Sequence, residues 1–286
     1  MSDKFVLVCP GGGISGIFGA GFCGALLEMD LFKSIEAIYG SSCGACTAAF
    51  LLAKQANNSW EIYSDDLTHD FLFTKNIRGV VLNGLRKRYG DPILDVNYAA
   101  NSIARRLNIA EMRSSKVPAY IRVWNLQKRQ TDIFDIRHAE DPIKLLRISS
   151  SATPYFWSPE ELNGEKYIDT HLHDSLGIDF IRSRHPNRKV IVVLNGTPEF
   201  YSYGLRLLEG VLASRFSQDI RPLDGIASRI KFNSEMQRCL AADNVLVVTP
   251  RANLVSAFTK DRRKLIEFRE WGIMAAKEKV PNFLSK

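Results

Sequence analysis

FVLVCPGGGISGIFGAGFCGALLEMDLFKSIEAIYGSSCGACTAAFLLAK, residues 5–54, alternates two short apolar runs with two longer stretches rich in small apolar residues. The first run, FVLVC at residues 5–9, ends at Pro10 and three glycines and reads as a buried strand. Residues 16–29 are small and apolar on most sides, which predicts a helix packed from several directions. Residues 35–39 (IEAIY) read as a second strand and residues 44–54 (GACTAAFLLAK) as a second small-residue helix. Alternation of this kind predicts βαβ units and an α/β fold whose mostly parallel sheet is covered on both faces.

Working outward, residues 57–112 are polar, basic and helical in pattern, with no clear strand, and are expected to form a helical cap insertion. Residues 118–124 and 131–136 look like paired strands. Asp141-Pro142 is a helix start, with Asp as cap and Pro in the first turn. Residues 189–194 (KVIVVL) and 245–248 are further buried strands, and helices are expected over about 201–240 and 259–278. With no repeat, low-complexity tract or long linker, residues 1–286 are expected to form a single domain: a core over about 5–196, the insertion, and a strand and helix extension over about 197–286.

Composition sets broad limits. At 45% hydrophobic and 24% charged residues, the chain is globular rather than disordered. Lys and Arg outnumber Asp and Glu by 38 to 31, a net charge of +7. The basic clusters, such as Arg86-Lys87-Arg88 and Arg262-Arg263-Lys264, are short and lack interleaved aromatics, so no nucleic-acid partner is expected. Peripheral contact with an anionic membrane is the charge-based alternative, placed on the basic cap at residues 78–106. No secretory pattern opens the sequence, and no stretch approaches the roughly 18 apolar residues that span a bilayer. A cytoplasmic protein, touching membranes only from the side, is expected. Five cysteines give no disulfide framework. Cys43 and Cys46 form a C-x-x-C, but no second pair accompanies them to make a redox or zinc motif.

Two glycine motifs carry the chemistry. Gly11-Gly12-Gly13-Ile14-Ser15-Gly16 links the first strand to the first helix, where free amides can face a negative charge. A dinucleotide fingerprint would need an acidic residue at the end of the second strand. That strand runs instead into Gly40, with Glu36 near its start, so no nucleotide cofactor is expected. Gly40-Ser41-Ser42-Cys43-Gly44 fits G-x-S-x-G between a strand and a helix, the context of a nucleophile elbow. Acyl transfer needs both a nucleophile and donors for the oxyanion, and the two motifs together offer both.

The base is the open question. Of the five histidines, none follows His185, which argues against the usual late histidine of a Ser-His-acid triad. Residues 149–178 (SSSATPYFWSPEELNGEKYIDTHLHDSLGI) offer another partner. Together with the two glycine motifs, Ser150-Ser151-Ala152-Thr153-Pro154 and Tyr167-Ile168-Asp169 resemble, in order and approximate spacing, the patatin-like phospholipases. The resemblance implies a three-layer α/β/α sandwich and a Ser-Asp dyad without histidine, metal or cofactor. It implies Ser42 as nucleophile, Asp169 as base, and Gly11, Gly12 and Gly13 as the oxyanion hole. Two departures stand out: Ser15 replaces a basic residue common in the family, and Thr170-His171 follows Asp169 where the family has two small residues. His171 and His173 would share one face of a strand; with Asp169 and Asp174 they could ligate a metal, could hydrogen-bond the dyad, or could simply line a loop.

The activity so implied is hydrolysis of lipid carboxylic esters, of phospholipase A or lysophospholipase type, through an acyl-enzyme on Ser42. An esterase or thioesterase acting on soluble acyl groups is the rival enzyme, and a catalytically impaired lipid-binding scaffold is the rival outside catalysis.

Overall fold

The side chains of strand β1 (Phe5–Cys9) divide by parity: Phe5, Leu7 and Cys9 enter one apolar cluster, and Val6 and Val8 another. The same division runs through the neighbouring strands β2 (Ile35–Gly40) and β7 (Lys189–Val193), where Ile38 and Ile191 face one side and Tyr39 and Val192 the other. Strand side chains alternate between faces, so apolar residues of both parities require cover on both faces. This computed structural model describes residues 4–68, 92–156, 158–174, 176–198 and 203–286.

Among the described residues eight strands form one sheet, in the order β5 (Glu160–Leu162), β6 (Glu165–Ile168), β3 (Ala119–Asn125), β2, β1, β7 and β8 (Val245–Val248), with β4 (Gln130–Asp135) also paired to β3. Strands β3, β2, β1, β7 and β8 are parallel, while β4, β5 and β6 add antiparallel pairs. The sequence predicts the parallel strands and the β3–β4 hairpin but not the β5–β6 hairpin. Its residues, EEL and EKYI, are too polar and too short to show a strand period.

Helices α1 (Ile17–Glu28) and α2 (Cys43–Leu52) follow β1 and β2, as the alternation predicts. Helices α3 (Ala56–Glu61), α4 (Val96–Arg106) and α5 (Ile109–Ser114) fall in the expected insertion, whose residues 69–91 lie outside the described residues. The basic clusters expected to meet a membrane lie mostly there too. At the other end of that stretch, Arg106 turns to Asp66 at 2.7 Å and Glu61 at 2.6 Å, so its charge ties α4 to the segment after α3. Helices α6 (Pro142–Ser149), α7 (Ile178–Arg184), α8 (Tyr203–Phe216), α9 (Asp224–Leu240) and α10 (Arg262–Leu284) complete the layers. Glycine explains how closely α1 and α10 cross: a Cβ on Gly21 would run into the Arg269 carbonyl, and one on Gly272 into that of Phe18. None of the described helices is long and apolar enough to cross a membrane.

A buried ion pair fixes the loop beyond β6. Arg122, on β3 and almost wholly buried, donates to Asp174 Oδ2 at 2.6 Å and to the carbonyls of Asp174 and Leu176 at 2.8 Å. Thr131 and Lys231 also donate to the Asp174 carboxylate, at 2.7 and 2.6 Å. Burial alone would raise its pKa, but Arg122 and Lys231 outweigh that and hold it well below the usual carboxylate range. Its stabilising effect is therefore full above the unfolded value of about 3.9 and fades only as pH falls below it. Asp174→Asn leaves Arg122 buried with a neutral partner, and is expected to cost about 3 kcal/mol and lower Tm by roughly 10 °C at pH 7. Calorimetry checks this; a Tm within about 2 °C of wild type would show that Arg122 is satisfied by carbonyls alone.

Candidate active site

Ser42 sits between the end of β2 and the start of α2 with φ 55° and ψ −132°. A non-glycine residue held there stores on the order of 1–3 kcal/mol of backbone strain. Its surroundings enforce that conformation. A Cβ on Gly44 would overlap the Cys9 carbonyl, and one on Gly40 would come within 2.8 Å of Ala45 Cα, so the turn closes only with glycine at both places. The Ser42 N–H donates to Ser149 Oγ at 2.8 Å, and that hydroxyl donates to the Arg122 carbonyl at 3.2 Å. The ten residues of α2 are all buried, and their aligned dipoles put partial positive charge near Ser42.

The glycine turn after β1 lies against this elbow. A Cβ on Gly11 would stand 2.9 Å from Ser42 Cβ and 3.4 Å from Ser42 Oγ. Gly13 has φ 60° and packs on Ala257, and its amide faces the Cys43 sulfur. Ser15, where a basic residue was the family expectation, donates to the Gly12 carbonyl at 2.6 Å and so serves the turn itself. A residue that sequence reasoning missed braces the whole loop. Asn195, buried just past β7, donates to the carbonyls of Pro10 and Gly11 at 3.0 and 3.4 Å and accepts from the Gly19 N–H at 3.1 Å. Its only sequence signal is a polar residue directly after the apolar run KVIVVL.

Asp169 reaches Ser42 because two strands share one edge of β3. The register pairs Gly40 with Ile121 from one end and Ile168 with Trp124 from the other, while β4 occupies the opposite edge. Strands β2 and β6 thus point at each other, and the residues just beyond them, Ser42 and Asp169, meet in the gap. Asp169 is buried; Oδ1 accepts from the His171 N–H at 2.9 Å, and Oδ2 has no hydrogen-bond partner of good geometry among the described residues. Burial lifts its pKa to about 6 against the lowering effects of the Ser42 hydroxyl, the His171 amide, Arg206 and Arg122.

The two histidines do not share a face, because β6 ends at Ile168 and Asp169 caps a single 3₁₀ turn, Thr170–Leu172. His171 lines the same cavity as Ser42, and burial holds its imidazole well below the ordinary value, hence neutral. His173 instead stacks on Trp124 at 4.2 Å and meets Asp224 at 3.1 Å. With Asp174 engaged by Arg122, these groups do not converge, and the described residues contain no cluster of three metal-ligating side chains. The C-x-x-C pair lies on α2 as free, buried cysteines whose thiols burial pushes up in pKa, to about 12 for Cys46.

Ser42, Asp169 and all three turn glycines line one cavity of about 420 Å³, within the usual range for small-molecule sites. Its walls are largely apolar and include Ile62, Tyr63, Ile103, Leu205, Leu212 and Phe258. A nucleophile candidate, a carboxylate with a raised pKa and a largely apolar wall are thereby collected in one place.

The family model described as patatin-like phospholipase matches residues 7–180. No curated protein matches. Among solved structures, VipD from Legionella pneumophila is 13% identical with a TM-score of 0.54, covering 100% of this chain and 67% of its own, a likeness of fold alone. The type III effector protein ExoU is 17% identical over 84% of this chain and 64% of its own, with a TM-score of 0.34.

Asn195→Ala removes the brace on the glycine turn. It is expected to slow fluorophosphonate labelling of Ser42 by roughly 100-fold while circular dichroism stays unchanged. Labelling at the wild-type rate would mean that the turn holds its shape without Asn195.

Proposed function

This chain belongs to the patatin-like phospholipase family, a family of lipid ester hydrolases, and from that premise we propose that it cleaves carboxylic esters of phospholipids or lysophospholipids through an acyl-enzyme on Ser42, with Asp169 as base. One observation carries this reading: a strained, partly exposed serine hydroxyl interacts with a buried carboxyl group, one oxygen of which has no hydrogen-bond partner of good geometry among the described residues, in the wall of an apolar cavity.

In the proposed cycle Ser42 Oγ attacks the ester carbonyl carbon and its proton passes to Asp169 Oδ2. The carbonyl oxygen takes the negative charge, stabilised by amides of the Gly11, Gly12 and Gly13 turn and by the start of α2. Of these amides, that of Gly13 also faces Cys43. Collapse breaks the ester C–O bond, and the leaving alcohol takes the proton from Asp169. Water then attacks the acyl-enzyme, giving a proton to Asp169; the bond from the acyl carbon to Ser42 Oγ breaks, and Oγ takes that proton back from Asp169 and leaves as the hydroxyl. An ordinary aspartate, with a pKa near 3.9, is a weak base. Burial raises Asp169 to about 6, which narrows the proton-transfer gap while leaving it ionised at neutral pH. The His171 side chain is not required; its backbone amide holds Oδ1, so Thr170-His171 after Asp169 is compatible with activity.

Ser42→Ala and Asp169→Asn are each expected to lower kcat/KM by at least about 1,000-fold, since the groups act as a unit. His171→Ala and His173→Ala should stay within about tenfold, and EDTA should have no effect. Because the base works deprotonated, kcat/KM should fall as pH drops through about 6 and be flat just above it. A His171 variant as inactive as Asp169→Asn, or activity dependent on added metal, would reassign the base. Absence of both labelling and turnover in wild type would favour a lipid-binding scaffold.

A further inference from the structure

Helix α8 (Tyr203–Phe216) is turned the wrong way for a helix facing water. In its first two turns Arg206 and Glu209 are buried, whereas Leu205, Leu207 and Leu208 are 38%, 39% and 41% exposed. Helices at a water boundary bury their apolar stripe and expose their charges. Here the rotation is pinned from inside. Arg206 donates to Glu209 at 3.0 Å and to the His171 carbonyl at 3.3 Å, and the Tyr155 hydroxyl donates to Glu209. Where α8 crosses α9 the backbones touch: a Cβ on Gly225 would run into the Arg206 carbonyl, and one on Gly210 into that of Pro222. Turning the leucines inward would break a buried ion pair and this crossing together.

The outward leucines are continuous with the candidate active site. Leu205 and Leu208 line the cavity that holds Ser42 and Asp169. Beside them the apolar surface extends to Leu223, which precedes α9, and to Ile230 on it, 64% and 57% exposed. Asn233 of α9 donates to the Tyr203 hydroxyl at 2.9 Å, which keeps that face of α9 next to the start of α8. Arg215 is exposed on α8 seven residues after Leu208, hence on the same helix face, Arg221 is exposed two residues before Leu223, and Arg229 lines the cavity. Apolar side chains flanked by cations match a lipid surface, acyl chains meeting the leucines and anionic head groups the arginines.

We propose that Leu207, Leu208, Leu223 and Ile230 seat the protein on an anionic lipid surface, and that Leu205 and Leu208 pass an acyl chain from it into the cavity. The second clause rests on the hydrolase reading; the first does not. This contact, on residues 203–230, is separate from the basic stretch 78–106 that charge alone suggests, part of which lies outside the described residues.

The test uses Leu207→Ser/Leu223→Ser, two positions outside the cavity lining. Binding to phosphatidylcholine vesicles containing phosphatidylglycerol is read by co-sedimentation in a Ser42→Ala background, where no turnover occurs. The double variant is expected to bind at least about tenfold more weakly. With Ser42 present, it should lose vesicle hydrolysis by a similar factor and keep turnover of a soluble short-chain ester within about twofold. Leu207→Trp should show a blue shift in emission only when vesicles are added. Vesicle binding unchanged in the double variant, or absent in Ser42→Ala itself, overturns the proposal. So does a Leu207→Trp emission already blue-shifted without vesicles in a protein that sediments as a dimer, which would show a second copy on the patch. Vesicle binding lost in the double variant, with wild type inert towards both esters and fluorophosphonate, would leave the lipid surface standing and sink the hydrolase reading.

Discussion

Ser42 occupies a backbone conformation that side chains ordinarily avoid, and much of the surrounding structure exists to hold it there. The strain arises where a parallel strand must turn within two residues into a helix lying directly over the sheet. Gly40 and Gly44 make room for the turn, and the Ser149 hydroxyl anchors its amide to β3. The all-buried α2 cannot shift to relieve the strain without opening the core. What the strain achieves is direction: the hydroxyl stands clear of the sheet, at the positive end of a helix and in the wall of a cavity.

The second constraint is the shared edge of β3. A parallel strand and an antiparallel one approach along the same edge and stop short of each other, so the residues after each are forced together. Ser149, the last residue of α6, and Ser151, just beyond it, tie the two ends together: Ser149 bridges Arg122 to Ser42, and the Ser151 carbonyl accepts from the Asp169 N–H at 3.2 Å. The Arg122–Asp174 pair then fixes the chain beyond Asp169, so the buried carboxylate is supported from both directions in sequence.

Burial governs the electrostatics in two opposite ways. Asp174 is buried with cations and stays ionised far into acid, whereas Asp169 is buried with few compensating partners and rises to about 6. Two aspartates five residues apart in the chain thus differ because one is paired and the other is left facing a serine. In α8 burial of charge has another consequence: enclosing Arg206 and Glu209 turns leucines outward, next to the same cavity.

The sequence by itself determined the local structure. Apolar runs of residues 5–9, 35–39 and 189–194, the small-residue helices between them and the glycines at each turn all follow from period, propensity and steric need, and each is decided within a few neighbours. The same is true of the motif order that marks the family over residues 7–180. What only the tertiary structure decided is what depends on contacts between distant segments. The β5–β6 hairpin is a strand pair only because β3 offers it an edge. Asn195 carries no motif, yet it bonds the glycine turn some 185 residues before it. His171 and His173 alternate in sequence as if on a strand, but the carboxylate of Asp169 caps a 3₁₀ turn and sends one towards the cavity and the other onto Trp124. The outward leucines of α8 were illegible for the same reason: a helix shows which residues share a stripe, but which stripe is buried was fixed by the partners waiting for Arg206 and Glu209.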